Sequence, residues 1–241
     1  MPGIEVVGVL VRRPRPPEPG APPAVTAIAD LLALRPRVVV EGAGHAAVRD
    51  HGAAILEAGA DLAITSVGAL TDQALLDRLL AAAKASGRRL TVASAGIGAL
   101  DILAAAAVGG LTRVTMTVAK DPSAWVGTEA EGLVDLARLA GPTVLFDGPV
   151  REGARRYPQN VNIAAAVALA GLGLDATRLV ILADPTIADH VCAIEAEGAF
   201  GRFHFREEIR PTVENPKTGV LVGMAMVKYV RQLASPLVIG G

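Results

Sequence analysis

The sequence predicts an α/β protein in two parts, a parallel sheet flanked by helices over residues 1–95 and an α+β block over residues 96–216. Three observations lead there. Short, nearly continuous apolar strands alternate with helical stretches in the first part, the pattern of a parallel sheet covered on both faces. After residue 96 the strands become longer and alternate polar with apolar residues, as half-exposed antiparallel strands do. The length of 241 residues, at roughly 150 residues per domain, leaves room for about 1.6 domains.

Taken in order, residues 4–11 form the first apolar strand. Residues 12–23 hold six prolines and form a loop. A helix over 25–34 ends at the Arg35-Pro36 step, because the residue before proline avoids the helical region. The strand at 37–41 runs into Gly42-Ala43-Gly44 and an amphipathic helix over 46–58, closed by Gly59. Residues 62–67 form a buried strand. Thr71 caps the next helix, 71–86, in which Leu75, Leu76, Leu79 and Leu80 recur at helical spacing. A strand at 89–93 closes the first part. The second part reads as a helix at 100–108, a strand at 113–119, a helix at 129–139, a strand at 144–146 and an Ala-rich helix at 160–170. Three strands follow, at 178–183, 190–196 and 201–209, and in the last Phe203 and Phe205 face one side while Arg202, His204 and Arg206 face the other. A final helix, spanning 217–234, is free to return to the first domain.

Composition excludes several classes. Lys plus Arg number 23 against 24 Asp plus Glu, a net charge of −1, so no basic surplus exists to neutralise nucleic-acid phosphates. Hydrophobic residues reach 51% and mean hydropathy +0.44. The longest apolar or glycine run, 163–174, is nevertheless too short to cross a bilayer, so no membrane partner is expected. One cysteine excludes an internal disulfide framework and fits a reducing, cytoplasmic setting. The start, MPGIEVV, lacks the pattern of a signal peptide. No cluster has the spacing of a metal site.

Open parallel sheets bind ligands beyond the carboxyl ends of their strands. Three such ends carry small residues that let backbone N–H groups approach a ligand: Gly42 and Ala43 in the first, Gly68 in the second, and 94–98 in the third. The glycine-rich dinucleotide fingerprint between a first strand and helix is absent. The strand at 4–11 runs into Arg12-Arg13, a basic pair that favours the extra phosphate of NADP over the bare ribose of NAD. His45 opens a helix at the same sheet edge as a capping or surface residue, and His51 and His204 read as solvent-facing.

The ordered set of segments 39–43 (VVEGA), 66–70 (SVGAL), 94–101 (SAGIGALD), 158–165 (PQNVNIAA), 183–185 (ADP), 198–201 (GAFG) and 214–218 (ENPKT) resembles the L-aspartate dehydrogenase family over nearly the whole chain. The resemblance implies an N-terminal Rossmann domain, an α+β domain for substrate and dimerisation, and NAD or NADP as hydride acceptor for oxidation of L-aspartate to iminoaspartate, which can feed NAD biosynthesis. It implies that Gly96 stands where the family usually places an alanine whose backbone contacts the cofactor, and that Asn162 lies at the nicotinamide end. Lys120 and Arg151 fall where the family tends to carry basic residues. A dicarboxylate needs cationic or N–H donors, which makes Lys120, Arg151 and Lys217 the substrate-binding candidates.

Two departures from the family stand out. Its catalytic histidine lies six residues before the glycine equivalent to Gly198, and Cys192 holds that place; His190 sits two residues earlier on the same strand face, about 7 Å away. Either His190 or Cys192 is then the proton relay. The chain also begins where the family's second strand stands, so the Rossmann-like domain lacks its usual first strand and glycine loop. The reading is an NAD(P)-dependent amino-acid dehydrogenase acting on L-aspartate, cytoplasmic and homodimeric. A reductase of another small acid or imine, and a non-catalytic dimeric paralogue, stay open beside it.

Overall fold

The computed structural model describes residues 3–94, 96–158, 161–210, 212 and 219–240. The chain divides into two compact units, residues 1–93 with Val227–Ile239, and Ser94–Met226 with the last two residues.

In the first unit, β1 (Val9–Leu10) pairs in parallel with β2 (Ala24–Val25). A second parallel sheet has the order β3-β4-β5, from Val38–Glu41, Asp61–Ile64 and Leu90–Val92. Helices α1 (Ile28–Ala33), α2 (His45–Glu57) and α3 (Gln73–Ser86) connect them. Strand β4 is central, and Leu62, Ala63 and Ile64 are fully buried. Among the described residues the sheet of this unit is therefore in two pieces. Val9 and Val40, on strands that end those pieces, are 41% and 43% exposed, unusual for apolar strand residues.

Local chemistry shifts several boundaries. The expected strand at 4–11 is reduced to β1. The expected helix at 25–34 starts at Ile28 instead, because Ala24 and Val25 are drawn into the ladder with β1, where the Val25 carbonyl accepts from the Val11 N–H at 2.9 Å. Thr71 belongs to a 3-10 turn, Val67–Thr71, and Asp72 is the cap of α3, its carboxylate accepting from the Leu75 N–H. Gly87, at φ 65°, ends that helix in the left-handed region.

One side chain joins β3 to β4. The Glu41 carboxylate, only 7% exposed, accepts from the backbone N–H groups of Ala43 (2.7 Å), Gly44 (2.8 Å) and Ser66 (3.1 Å) and from the Ser66 hydroxyl (2.9 Å). Four donors satisfy the charge that burial would otherwise penalise.

The second unit is built on a five-stranded sheet of order β10-β9-β6-β8-β7. Its elements are α4 (Leu100–Val108), β6 (Leu111–Lys120), β7 (Thr143–Pro149), α5 (Val150–Arg156), α6 (Asn162–Ala170), β8 (Arg178–Ala183), β9 (His190–Gly198) and β10 (Gly201–Ile209). The β6–β8 pair is parallel and the others antiparallel. Helix α7, Leu221–Gln232, follows and runs across the division between the units. One sheet face carries Val114, Met116 and Val118 of β6, Leu179 and Ile181 of β8, and Cys192 and Ile194 of β9, all buried. Helix α6, whose residues 164–168 are all Ala or Val and buried, packs with α4 against this face. Small side chains allow that close approach.

The expected helix at 129–139 is a short 3-10 turn, Glu129–Gly132. Side chains compete with helical bonding there: Thr128 accepts from the Ala130 N–H and Asp135 from the Ala137 N–H, and Gly132 interrupts the run. Helix α5 was not anticipated, since its VREGARR sequence lacks an apolar stripe and follows directly on Pro149.

Where β9 ends against the start of β6, a Cβ on Gly198 would lie 2.3 Å from the Gly110 carbonyl oxygen. The backbone cannot yield, so Gly198→Ala is expected to destabilise the second unit by about 3 kcal/mol, read from the denaturant midpoint. Glu41→Ala strands buried backbone donors and is expected to cost the first unit about 3 kcal/mol; an unchanged unfolding curve would show that Glu41 does not hold β3 to β4.

Candidate active site

Each unit contributes candidate residues. In the first, β3 and β4 end at one edge of their sheet, where Gly42, Ala43 and Gly68 sit. Gly42 and Gly44 have open space where a side chain would be, and Gly44, at φ 109°, requires glycine. The Ala43 and Gly44 N–H groups are turned onto Glu41 rather than outward. Gly68 is buried in the 3-10 turn, its carbonyl accepting from the Thr71 hydroxyl at 2.7 Å. Arg12 and Arg13 are exposed at the carboxyl end of β1.

In the second unit, strand parity assembles the site. On β9, His190 and Cys192 share the face packed by helices, and both are buried, at 8% and 0% exposure. Cys192 stands opposite Val118 of β6 on one side and Glu207 of β10 on the other. Ile209 faces His190 across the same β9–β10 pair. Lys120, the last residue of β6 and 5% exposed, shares the parity of Val118 and so lies on this face. Its ammonium stands 5.7 Å from the centroid of the Trp125 ring. Trp125 is fully buried, edge-on to Tyr157, and its indole N–H has no hydrogen-bond partner among the described residues.

The loop after β5 closes over the same face. The Gly98 N–H donates to Glu207 Oε2 at 3.3 Å, and a Cβ on Gly98 would run into the Phe205 ring. Gly96 lies against the first turn of α6: a Cβ there would meet the Ile163 side chain at 3.2 Å, next to Asn162, the first residue of that helix. Glu207 Oε1 is buried without a partner among the described residues.

Electrostatics separate the acidic groups. Burial, with a smaller contribution from neighbouring Glu207, pushes the Cys192 thiol up to about 12, against a modest pull downward from Lys120. The thiol therefore keeps its proton at neutral pH and cannot serve as a base there. Burial also raises the Glu207 carboxyl above the usual carboxylate range, partly offset by the Gly98 N–H.

The structure thus brings Lys120, His190 and Cys192 onto one face, and Gly96 against Ile163, the residue after Asn162. It does not bring Arg151 to them. Arg151 lies on α5 at the Arg178 end of β8, whereas Lys120 pairs with Ala183 at the other end, and its guanidinium makes a two-point ion pair with Asp175, at 2.6 and 2.9 Å. Lys217 lies outside the described residues. Sequence reading passed over Glu41, Trp125 and Glu207. The signal for Glu207 was the parity of β10, which puts residue 207 on the side of Phe203 and Phe205; the signal for Glu41 was a carboxylate ending an apolar strand.

Residues 101–233 match the family described as aspartate dehydrogenase, C-terminal, and residues 2–93 match the NAD binding domain of homoserine dehydrogenase. The L-aspartate dehydrogenase of Ruegeria pomeroyi is 45% identical over 232 residues, covering 95% of this chain and 84% of the relative. That of Pseudomonas aeruginosa is 46% identical over 194 residues, covering 80% and 73%. Among solved structures, aspartate dehydrogenase from Thermotoga maritima superposes with a TM-score of 0.71 at 27% identity, covering 84% of this chain and 78% of that one. A hyperthermophilic archaeal homoserine dehydrogenase in complex with NADPH shares the fold, at a TM-score of 0.51 and 11% identity, covering 86% and 75%. The chain belongs to the L-aspartate dehydrogenase family.

Proposed function

We propose that the protein oxidises L-aspartate to iminoaspartate with NAD or NADP. The observation that carries this reading is the buried row of Lys120 and His190, beside the unpartnered indole N–H of Trp125, in a chain 45% identical to an L-aspartate dehydrogenase. A substrate with two carboxylates matches a site rich in buried donors and cations. Lys120 and His190 take the carboxylates, and the low polarity around them strengthens each contact. Cys192 contributes volume and no proton transfer, because its thiol is neutral.

Bound NAD or NADP supplies a two-electron acceptor for the hydride that leaves Cα. The residues of the first unit fit such a group in part. Gly42 and Gly44 leave room for a ligand to approach the backbone, and the exposed Arg12 and Arg13 suit the extra phosphate of NADP. The Ala43 and Gly44 N–H groups already hold a carboxylate, so these loops suit an uncharged portion of the dinucleotide rather than its pyrophosphate. Gly68 joins them in the first unit, and in the second unit Gly96 and Asn162 are assigned to the cofactor by the family resemblance.

The protein is read as a cytoplasmic homodimer. The single cysteine supports the compartment. The outer edge of β10, which has no partner strand among the described residues, with Phe200 44% exposed beside it, supports self-association. Light scattering should give twice the 24.6 kDa chain mass; a monomer overturns that reading.

Appearance of NADPH or NADH absorbance on mixing the protein with L-aspartate and oxidised cofactor tests the function. Reduction with another amino acid but not with L-aspartate would remove the named substrate. Lys120→Met should raise KM for L-aspartate by about tenfold or more, as expected on losing a charge-assisted contact. Cys192→Ala should keep kcat within about threefold, far from the roughly 100-fold loss that removal of a general base brings.

A further inference from the structure

Oxidation of an amino acid requires its ammonium group to lose a proton before the nitrogen lone pair can form the C=N bond. The proton needs an acceptor, and the Cys192 thiol is not one. On β10, directly opposite Cys192, stands a carboxylate with one oxygen anchored and the other idle: Glu207 Oε2 accepts from the Gly98 N–H at 3.3 Å, while Oε1 is buried with no donor among the described residues. Buried acceptors without a donor are uncommon and call for an explanation. An ammonium group supplies the missing donor together with the opposite charge.

We propose that Glu207 receives the α-ammonium group of the substrate and takes its proton. This rests on the reading of the protein as an amino-acid dehydrogenase. The site then complements a zwitterion, with Lys120 and His190 for carboxylates at the ends of β6 and β9, and Glu207 for the ammonium one row further along the same sheet face. Glu207 lies diagonally across from His190, a spacing of about 7 to 8 Å that long side chains bridge.

The step balances. One N–H bond of the ammonium breaks and its proton bonds to Glu207, giving a neutral carboxylic acid and a free amine. The Cα–H bond then breaks, its hydride reduces the oxidised cofactor, and the nitrogen lone pair closes the C=N bond of the protonated imine. Glu207 afterwards releases its proton to solvent, which accounts for the one proton the reaction yields.

Across the β9–β10 pair Cys192 stands directly opposite Glu207 and His190 diagonally, Lys120 lies on the same sheet face two strands away on β6, and the Gly98 N–H reaches Glu207 from the loop after β5. On its own strand, Arg206 and Glu208 have the opposite parity and pair with each other at 2.6 Å. Asp101, in the first turn of α4, is exposed. Burial raises the Glu207 carboxyl, offset in part by the Gly98 N–H, so burial favours the proton-carrying form that an acid–base group must reach.

Glu207→Gln tests the proposal, because the amide oxygen can still accept from Gly98 while the charge and the proton-accepting oxygen are lost. The full chain is assayed with L-aspartate and oxidised cofactor across pH. A drop in kcat of about 100-fold or more, loss of the acidic limb of the kcat/KM profile and partial recovery in Glu207→Asp are expected. A Gln variant with kcat within threefold of the wild type and its acidic limb intact would overturn it. Thermal unfolding separates a structural role. A carboxyl whose folded pKa lies above its unfolded value loses stability as pH rises through that interval, so the Gln variant should be at least as stable as the wild type at pH 8. Loss of folding in that variant would instead mark Glu207 as scaffolding and overturn the proposal. Should the wild type oxidise no L-aspartate, the functional reading fails, and the proton-carrying role is decided by infrared difference spectra. A protonated-carboxyl band that titrates with pH and vanishes in Glu207→Gln supports the role, and absence of the band overturns it.

Discussion

The approach of Gly198 to the Gly110 carbonyl sets the register of β9 on β6, and the chemistry of the second unit depends on that register. Pairing begins with Leu111 opposite Gly198, shifts by one residue between Leu111 and Arg113, and then runs unbroken to Ala119 opposite Val191. A slip of one residue would move every side chain to the other face. His190 and Cys192 would leave the helix-covered side, and Glu195 and Glu197, which now face away, would be driven into the core. A glycine that no side chain can replace without collision is therefore a positioning device for residues at the far end of the same strand.

How much of this was legible in the sequence follows from which signals are local. Period-2 alternation located β6, β9 and β10, and placed Phe203 and Phe205 together on one face of β10. Apolar continuity located β3, β4 and β5. Helix α3 was legible from its leucines, but its cap was misplaced by one residue, because Thr71 and Asp72 are both good capping residues and only the 3-10 turn before the helix decides between them. The segment after Thr128 failed as a helix for a related reason: Thr128 and Asp135 supply side-chain acceptors that nearby backbone N–H groups take in place of helical bonding.

The site was legible residue by residue but not as a set. Lys120, His190 and Cys192 were each singled out, and strand pairing across 70 residues of sequence is what unites them. Arg151 was singled out because the family tends to carry a basic residue there and a dicarboxylate needs cations, and its guanidinium pairs with Asp175 at the Arg178 end of β8. Glu207 escaped notice because it sits in a charged run, Arg206 to Glu208, that reads as a solvated strand end; only its alternation separates the inward carboxylate from the outward pair.

Glu41 and Glu207 show how one residue type is given two functions by its surroundings. Glu41 is surrounded by four donors within 3.1 Å, so its carboxylate is fully occupied by the protein and serves as a clamp between two strand ends. Glu207 has one donor at 3.3 Å and a second oxygen without a donor among the described residues. Charge held by many donors is stable and unreactive, whereas charge held by few, in a buried site, is easily neutralised by a proton. The first arrangement is expected of scaffolding beneath ligand-binding loops. The second is costly to folding and useful only where a proton must be accepted, and it stands one strand away from a thiol that cannot accept one.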